Sequence, residues 1–370
     1  VIGCCRRLTK LSSSHMETPV PVKNPVKVLV VDDSAFMRFT ITKHLNEFPG
    51  ITVLGAAKDG QEALELIPKL KPDVVTLDVE MPRLDGLSTL REIMSRHPLP
   101  VVMLSSLTSE GTLETVRALT LGAVDFVAKP DNKANMASIL EDVGNKVLRA
   151  ASAKVWQTPI KGSFIETLPT VNAAAKKVRG LKSQDKVVVI GSSTGGPRAL
   201  NTVVPMLNAN IAAAFVIVQH MPAGFTRSLS DRLNSTSNLF VKEAQPDDRL
   251  EAGKVLLAPG GFHMIFNENE KVSLNQNPTV HGVRPAVDVT LLSIAKLYGP
   301  RVITAILTGM GNDGTNAALL VHNSGGWVIS EAEETCVVYG MPRSVFEAGA
   351  SDEVVPLDRI AGAIEKAVGR

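Results

Sequence analysis

The stretch VVVIGSSTGGPRAL, residues 187–200, passes from a β-branched run to a helical pattern through six positions holding three Gly and three hydroxyl side chains. Four apolar residues in a row, bounded by Gly, read as a buried strand. A strand handed to a helix through so tight a turn is half of a parallel βαβ unit, so the surrounding chain should alternate.

It does. Toward the C-terminus, AAFVIVQHM, KVLLAP, HMIFN, VITAILTGM and WVISE read as strands, and PRALNTVVPML, SLSDRLN, VDVTLLSIAKLYG, GTNAALLVHNSG, MPRSVFEAG and LDRIAGAIEKAV as helices. Toward the N-terminus, strand and helix alternate five times from VKVLVV to ASILEDVGNKVLRA. The fold class is α/β. A flavodoxin-like five-stranded parallel sheet is expected over 25–150, a linker over 151–184 and a second doubly wound, mainly parallel α/β domain over 185–370. The linker stretch holds two Pro and no sustained period. Residues 1–24 are expected to be a disordered extension. They are basic, lack the apolar core of a signal peptide, and contain Met16 as a candidate start.

Composition narrows the function. Apolar residues are 44%, enough for real cores. A net charge of +2 and only 4% aromatics argue against a nucleic-acid partner. Cys4, Cys5 and Cys336 make neither a disulfide framework nor a zinc site. No apolar run reaches the ~18 residues of a membrane span. A cytoplasmic protein without membrane insertion is expected.

In open α/β sheets, ligands bind outside the carboxyl ends of the strands. In the first half those ends are Asp32-Asp33, Asp78, Ser105 and Lys129. Crowded carboxylates call for a cation, and few carboxylates plus water suit Mg²⁺. A hydroxyl and an ammonium opposite the metal would neutralise phosphoryl oxygens, which leaves one carboxylate as nucleophile for an acyl phosphate. Asp78, at a strand end before EMPRLDG, is the best placed.

In VDDS, LDVEMPRLDG, MLSS and VAKP, residues 26–150 resemble a response-regulator receiver domain. The resemblance implies Asp78 as phospho-acceptor, with Asp33 and Asp78 holding Mg²⁺ and Asp32 assisting. It also implies Ser105 as switch hydroxyl, Lys129 as phosphoryl partner and Phe126 as the aromatic switch position, with a histidine kinase as phosphodonor.

The turn at 191–195 fits Gly-x-Ser-x-Gly, the layout of a nucleophile elbow. On these letters alone three readings stand: a nucleophile, a phosphate- or nucleotide-binding turn, and a plain structural turn. Two further strand ends add His220, after AAFVIVQ, and Asp313, after VITAIL, on the same edge. His263 and His281 are rival histidines, and Asp313 also fits a helix cap before GTNAALL. No acidic residue stands some 20 residues past the turn, where a dinucleotide ribose needs one. The order Ser, His, Asp differs from that of α/β-hydrolases, yet triads recur on unrelated scaffolds.

In IGSSTGGP, VQHMPAGFTRSL, ILTGMGNDG and CVVYGMPR, residues 186–370 resemble the catalytic domain of chemotaxis protein-glutamate methylesterases, the CheB family. The resemblance implies Ser193, His220 and Asp313 as the catalytic triad. It implies Thr194 as the adjacent accessory hydroxyl and Met310 as a backbone contributor to the oxyanion hole. The implied activity is removal of methyl groups from glutamyl esters of chemoreceptor cytoplasmic domains, with deamidation of receptor glutamines, under phosphorylation control. No cofactor is implied for the ester chemistry.

Overall fold

The computed structural model describes residues 24–106, 108–129, 136–155 and 176–370. The first unit runs β1 (Val26–Val31), α1 (Ala35–Glu47), β2 (Ile51–Ala57), α2 (Gly60–Leu70), β3 (Val74–Asp78), α3 (Gly86–Arg96), β4 (Val101–Ser105), α4 (Ser109–Leu121), β5 (Asp125–Ala128) and α5 (Met136–Ala151). Its sheet has the order β2-β1-β3-β4-β5 and is parallel throughout. Every residue of β3 and β4 is buried, so these strands are covered on both faces rather than alternating between core and solvent. The strand order reverses beside β1. The ends of β1 and β3 therefore open on one crevice.

The second unit begins with β6 (Arg179–Gly180), β7 (Lys186–Ser192), α6 (Gly196–Met206), β8 (Ala213–Gln219), α7 (Phe225–Thr236), β9 (Phe240–Glu243), β10 (Glu251–Ala252) and β11 (Lys254–Leu257). It continues with β12 (His263–Phe266), β13 (Val272–Asn275), α8 (Val287–Tyr298), β14 (Val302–Ile306), α9 (Thr315–Asn323), β15 (Trp327–Glu331), α10 (Met341–Glu347), β16 (Glu353–Val355) and α11 (Leu357–Val368). Seven strands form a sheet in the order β16-β15-β14-β7-β8-β11-β9. All its pairings are parallel. The short strands β9, β13 and β16 were not legible in the sequence, because FVKE, VSLN and EVV are too brief and polar to show a period.

The two units start their helices differently. In the first, Ser34, Asp59, Asp85 and Thr108 each accept a hydrogen bond from the turn they open, capping α1 to α4. In the second, α6, α7 and α9 begin at Gly195, Gly224 and Gly314, all with positive φ and no side-chain cap. Their leading N–H groups, and those of α8, are left for groups from elsewhere. These helix starts lie at the carboxyl ends of the strands, which places the positive ends of their dipoles on that edge.

The segment expected as a linker is ordered at both ends. Helix α5 runs to Ala151, and Lys154 N donates to Val337 O at 3.0 Å. Residues 179–180 pair antiparallel with 251–252, and Arg179 grips Asp185 through both terminal nitrogens, at 2.5 and 3.1 Å. Residues 156–175 and the extension before Asn24 lie outside the described residues.

The two units pack together through α4, which lies against α6 and α7. The rings of Phe126 and Phe225 meet at 4.3 Å between centroids, tilted 43°. Such a pair adds about 0.5–1.5 kcal/mol beyond its buried area. Ser228 Oγ bonds Thr112 Oγ1 at 3.1 Å, and Thr194 Oγ1 donates to Asp125 Oδ2 at 2.9 Å.

Candidate functional site

The three hydroxyls of the turn have three different fates. Ser192 is buried and donates to Gln219 Oε1 at 2.7 Å. Thr194, implied above as the accessory hydroxyl, reaches across to Asp125 of the first unit. The Ser193 hydroxyl bonds no group among the described residues, and Ser193 lines a cavity of about 470 Å³ between the two units. Its backbone is clamped. Ser193 N donates to Thr308 O at 3.0 Å, and Ser193 O accepts from Gly196 N at 2.7 Å and Gln219 Nε2 at 2.9 Å.

Glycine is required here for space as well as for φ. A Cβ on Gly196 would stand 2.0 Å from Gln219 Oε1, and Gly195 has φ +78° with Val337 2.6 Å from any added Cβ. The N–H groups of Thr194 and Met310 donate to no partner among the described residues. A Cβ on Gly309 would meet Ser193 Cβ at 2.7 Å, so the loop carrying Met310 abuts the serine.

His220 lines the same cavity. Its Nε2 stands 2.8 Å from Asp313 Oδ2. Asp313 does not cap α9, which starts behind it. Instead its carboxylate accepts from Val287 N at 2.6 Å and Asp288 N at 2.9 Å, the uncapped first turn of α8. Asp288 in turn accepts from Ala317 N of α9 at 2.8 Å. Each acid thus caps the other's neighbouring helix, and two dipole ends hold two carboxylates in place. Burial works to raise the Asp313 carboxyl. The hydrogen bond and charge of His220, with the two N–H groups of α8, outweigh it and hold the group below the usual range.

Of the rival histidines, His263 is buried with Nε2 3.1 Å from Pro278 O and does not line the cavity. His281 joins the site: it lines the cavity and bonds Asp288 Oδ2 at 2.9 Å. Gln219, Asp288 and Asp125 escaped sequence reasoning. Gln219 carried a signal, as the sole polar residue of the buried strand AAFVIVQ.

The first unit brings Asp32, Asp33, Asp78 and Lys129 together and leaves Ser105 turned away from them. One oxygen from each of Asp32, Asp33 and Asp78 falls within 4.8 Å of the others. Lys129 Nζ stands 2.5 Å from Asp78 Oδ2 and 3.0 Å from Asp32 Oδ2. Burial pushes the Asp78 carboxyl up to about 6 against the opposing pull of Lys129, with Asp32 adding to the rise. Ser105 is buried, and its hydroxyl bonds Gly111 O of α4 at 3.0 Å rather than the acid cluster. Phe126 is also buried, against the second unit.

Behind the serine turn lies a buried acid, Glu331. Its Oε2 accepts from Thr308 N at 2.8 Å, and Thr308 Oγ1 donates to Thr194 O at 3.1 Å. Burial raises this carboxyl from 4.5 to about 7, with the Thr308 N–H opposing. A raised carboxyl contributes stability fully present below its unfolded value and lost as pH rises through its folded one. Glu331→Gln is therefore expected to be more stable than the parent at pH 8, by on the order of a few kcal/mol, and equal to it at pH 4. Thermal unfolding at the two pH values checks this; equal melting shifts at both would contradict it.

Comparison with known proteins places this geometry. Residues 28–141 match the response regulator receiver domain, and residues 188–364 match the CheB methylesterase family. A protein-glutamate methylesterase/protein-glutamine glutaminase of Symbiobacterium thermophilum is 50% identical over 360 residues, 94% of this chain and 98% of its own length. That of Geobacillus kaustophilus is 47% identical over 93% of this chain and 99% of its own. Among solved structures, the CheB methylesterase catalytic domain of Thermotoga maritima is 50% identical over 50% of this chain and 99% of its own (TM-score 0.48). The response regulator domain of the same organism's CheB is 43% identical over 35% of this chain and 99% of its own (TM-score 0.34). A receiver sheet in front of an esterase sheet, matched along nearly the whole length of its relatives, makes this chain a member of the CheB methylesterase family, hydrolases that carry a response-regulator receiver domain.

Proposed function

We propose that the chain hydrolyses glutamyl γ-methyl esters on chemoreceptor cytoplasmic domains, and deamidates receptor glutamines, with Ser193, His220 and Asp313 as the working groups. The observation that carries this is the 2.8 Å His220–Asp313 bond beside a serine hydroxyl that no described residue holds, on one cavity. His220 spends Nε2 on Asp313, which leaves Nδ1 to take the serine proton. Ser193 Oγ attacks the ester carbonyl, and the N–H groups of Thr194 and Met310 receive the oxyanion. His220 then returns its proton to the departing methoxide or amide, releasing methanol or ammonia. A water, deprotonated by the same imidazole, cleaves the acyl-serine and restores glutamate. Asp313 stays ionised, its charge held by the start of α8, and stabilises the imidazolium that forms twice per cycle.

The receiver governs access. Asp78 accepts the phosphoryl group from a histidine kinase, and Asp32, Asp33 and Asp78 would hold Mg²⁺. The residues fit that ion: their oxygens converge, and Asp32 Oδ2 is buried without a well-directed hydrogen bond. Bound there, the ion would offset charge on the phosphoryl oxygens. A phosphoryl group on Asp78 draws the Ser105 hydroxyl away from Gly111 O and so shifts the start of α4. The next residue, Thr112, is bonded to Ser228 of α7, so the shift loosens the face that covers the cavity. Among the described residues no helix is long and apolar enough to cross a membrane. We place the protein in the cytoplasm, acting on the receptors' cytoplasmic ends.

Methanol release from a methyl-esterified receptor domain tests the reading on the full chain. Turnover is expected, and it should rise several-fold with a small-molecule phosphodonor and Mg²⁺. No methanol under either condition would defeat it.

A further inference from the structure

His281 occupies a position that suits another residue better. Val280 and Val283 exchange backbone hydrogen bonds at 3.2 and 3.0 Å. Between them His281 has φ +54° and Gly282 φ +76°. Two consecutive positive φ values in a two-residue connection make a type I′ turn, whose preferred sequence is Asn-Gly. His is among the few non-Gly residues enriched at positive φ, so this turn holds the imidazole in a fixed place without unusual strain. The turn places its Nε2 2.9 Å from Asp288 Oδ2 and 3.9 Å from Asp313 Oδ1. On the other side of Asp313 is His220.

We propose that His281 is a second imidazole on the triad carboxylate, a positioning residue whose protonation state sets how much charge Asp313 offers to His220. The inference rests on the triad reading above. While His281 is neutral, its Nε2–H donates to Asp288 and Asp313 serves His220 alone. When it is protonated, Asp313 faces a cation on each side. The imidazolium that must form on His220 in the transition state is then repelled across the shared carboxylate. A proton on either imidazole therefore switches the site off, and the acid limb of the hydrolase belongs to the pair.

Other charges face His281 less directly. Arg284, on the same turn, spends Nη1 on Gln276 O and Asn277 O. From the receiver, Asp125, Asp142, Lys146 and Arg149 line the cavity. Lys146 lies 3.7 Å from Asp125 and 3.1 Å from Asp142, so these three charges partly balance one another.

The test is the pH profile of kcat/KM for the full chain and for His281→Asn, which supplies the residue this turn prefers and so keeps the loop. Each profile is normalised to its own plateau at high pH. The acid midpoint should move down. In NMR titrations the His220 ring proton should show a second inflection in the parent that is absent in the variant. His281→Gln should reproduce the shift. An unmoved acid limb together with an unmoved His220 titration overturns the proposal. A plateau loss of several orders of magnitude also overturns it, since the ring would then touch the reacting atoms. Ser193→Ala, run alongside, separates the two readings. If it is inactive while the His281→Asn profile is unchanged, only this inference fails; if it is active, the triad itself fails.

Discussion

Ser193→Ala should lower kcat/KM for glutamyl ester hydrolysis by about 10⁴–10⁶ while leaving the fold intact. The size follows from the chemistry: without the hydroxyl no acyl-enzyme forms, and only the oxyanion donors and substrate positioning remain. Retention of the fold follows from the structure. The residue's backbone is held by Thr308 O, Gly196 N and Gln219 Nε2, and its hydroxyl supports nothing else among the described residues. Its neighbour makes the control. Ser192→Ala breaks the buried bond to Gln219, whose amide orients the Ser193 carbonyl. That change should cost about 1 kcal/mol of stability and reduce turnover only modestly. Methanol release and thermal unfolding of both variants decide the matter. If the Ser193 variant kept parental turnover, the cavity would have to be a binding site and not a reaction centre.

Asp78→Asn is the second large effect. Phosphoryl uptake from a small-molecule donor should fall to background, because an amide oxygen does not form the acyl phosphate. Activation of the esterase should vanish with it. The same substitution should stabilise the chain. Burial raises the Asp78 carboxyl from 3.8 to about 6, so its favourable contribution is present below about pH 4 and gone above pH 6. With a chelator present, the variant should gain stability relative to the parent between pH 4 and pH 8, as the Asp78 carboxyl of the parent ionises. Adding Mg²⁺ should then raise the parent's melting temperature and move the variant's much less. Equal Mg²⁺ responses would remove Asp78 from the cation site. Residual phosphorylation of the variant would point to Asp32 or Asp33 as acceptor.

Much of this was written in local patterns. Apolar strand runs alternating with helical periods specify parallel sheets, and parallel sheets collect chemistry at one edge. Asp32, Asp33, Asp78, Ser105 and Lys129 could therefore be read as one cluster, and Ser193, His220 and Asp313 as residues of one edge. In the structure the three acids and Lys129 lie together while Ser105 turns to Gly111 O, and His220 meets Asp313 beside the cavity that Ser193 lines.

What the letters did not carry was partnership. The sequence shows that α8 starts at PAVDV without a capping side chain; it does not show that Asp313, 25 residues beyond Asp288, supplies the cap. Nor does it show that the Thr194 hydroxyl crosses to Asp125, 69 residues earlier. It does not show that His281, on a loop without a strong strand before it, bonds Asp288 next to that same acid. Periodicity and turn chemistry act over a few residues and are legible along the chain. The satisfaction of a buried N–H or carboxylate is settled only when distant elements pack, because any group of suitable reach will serve and tertiary packing alone determines which one arrives.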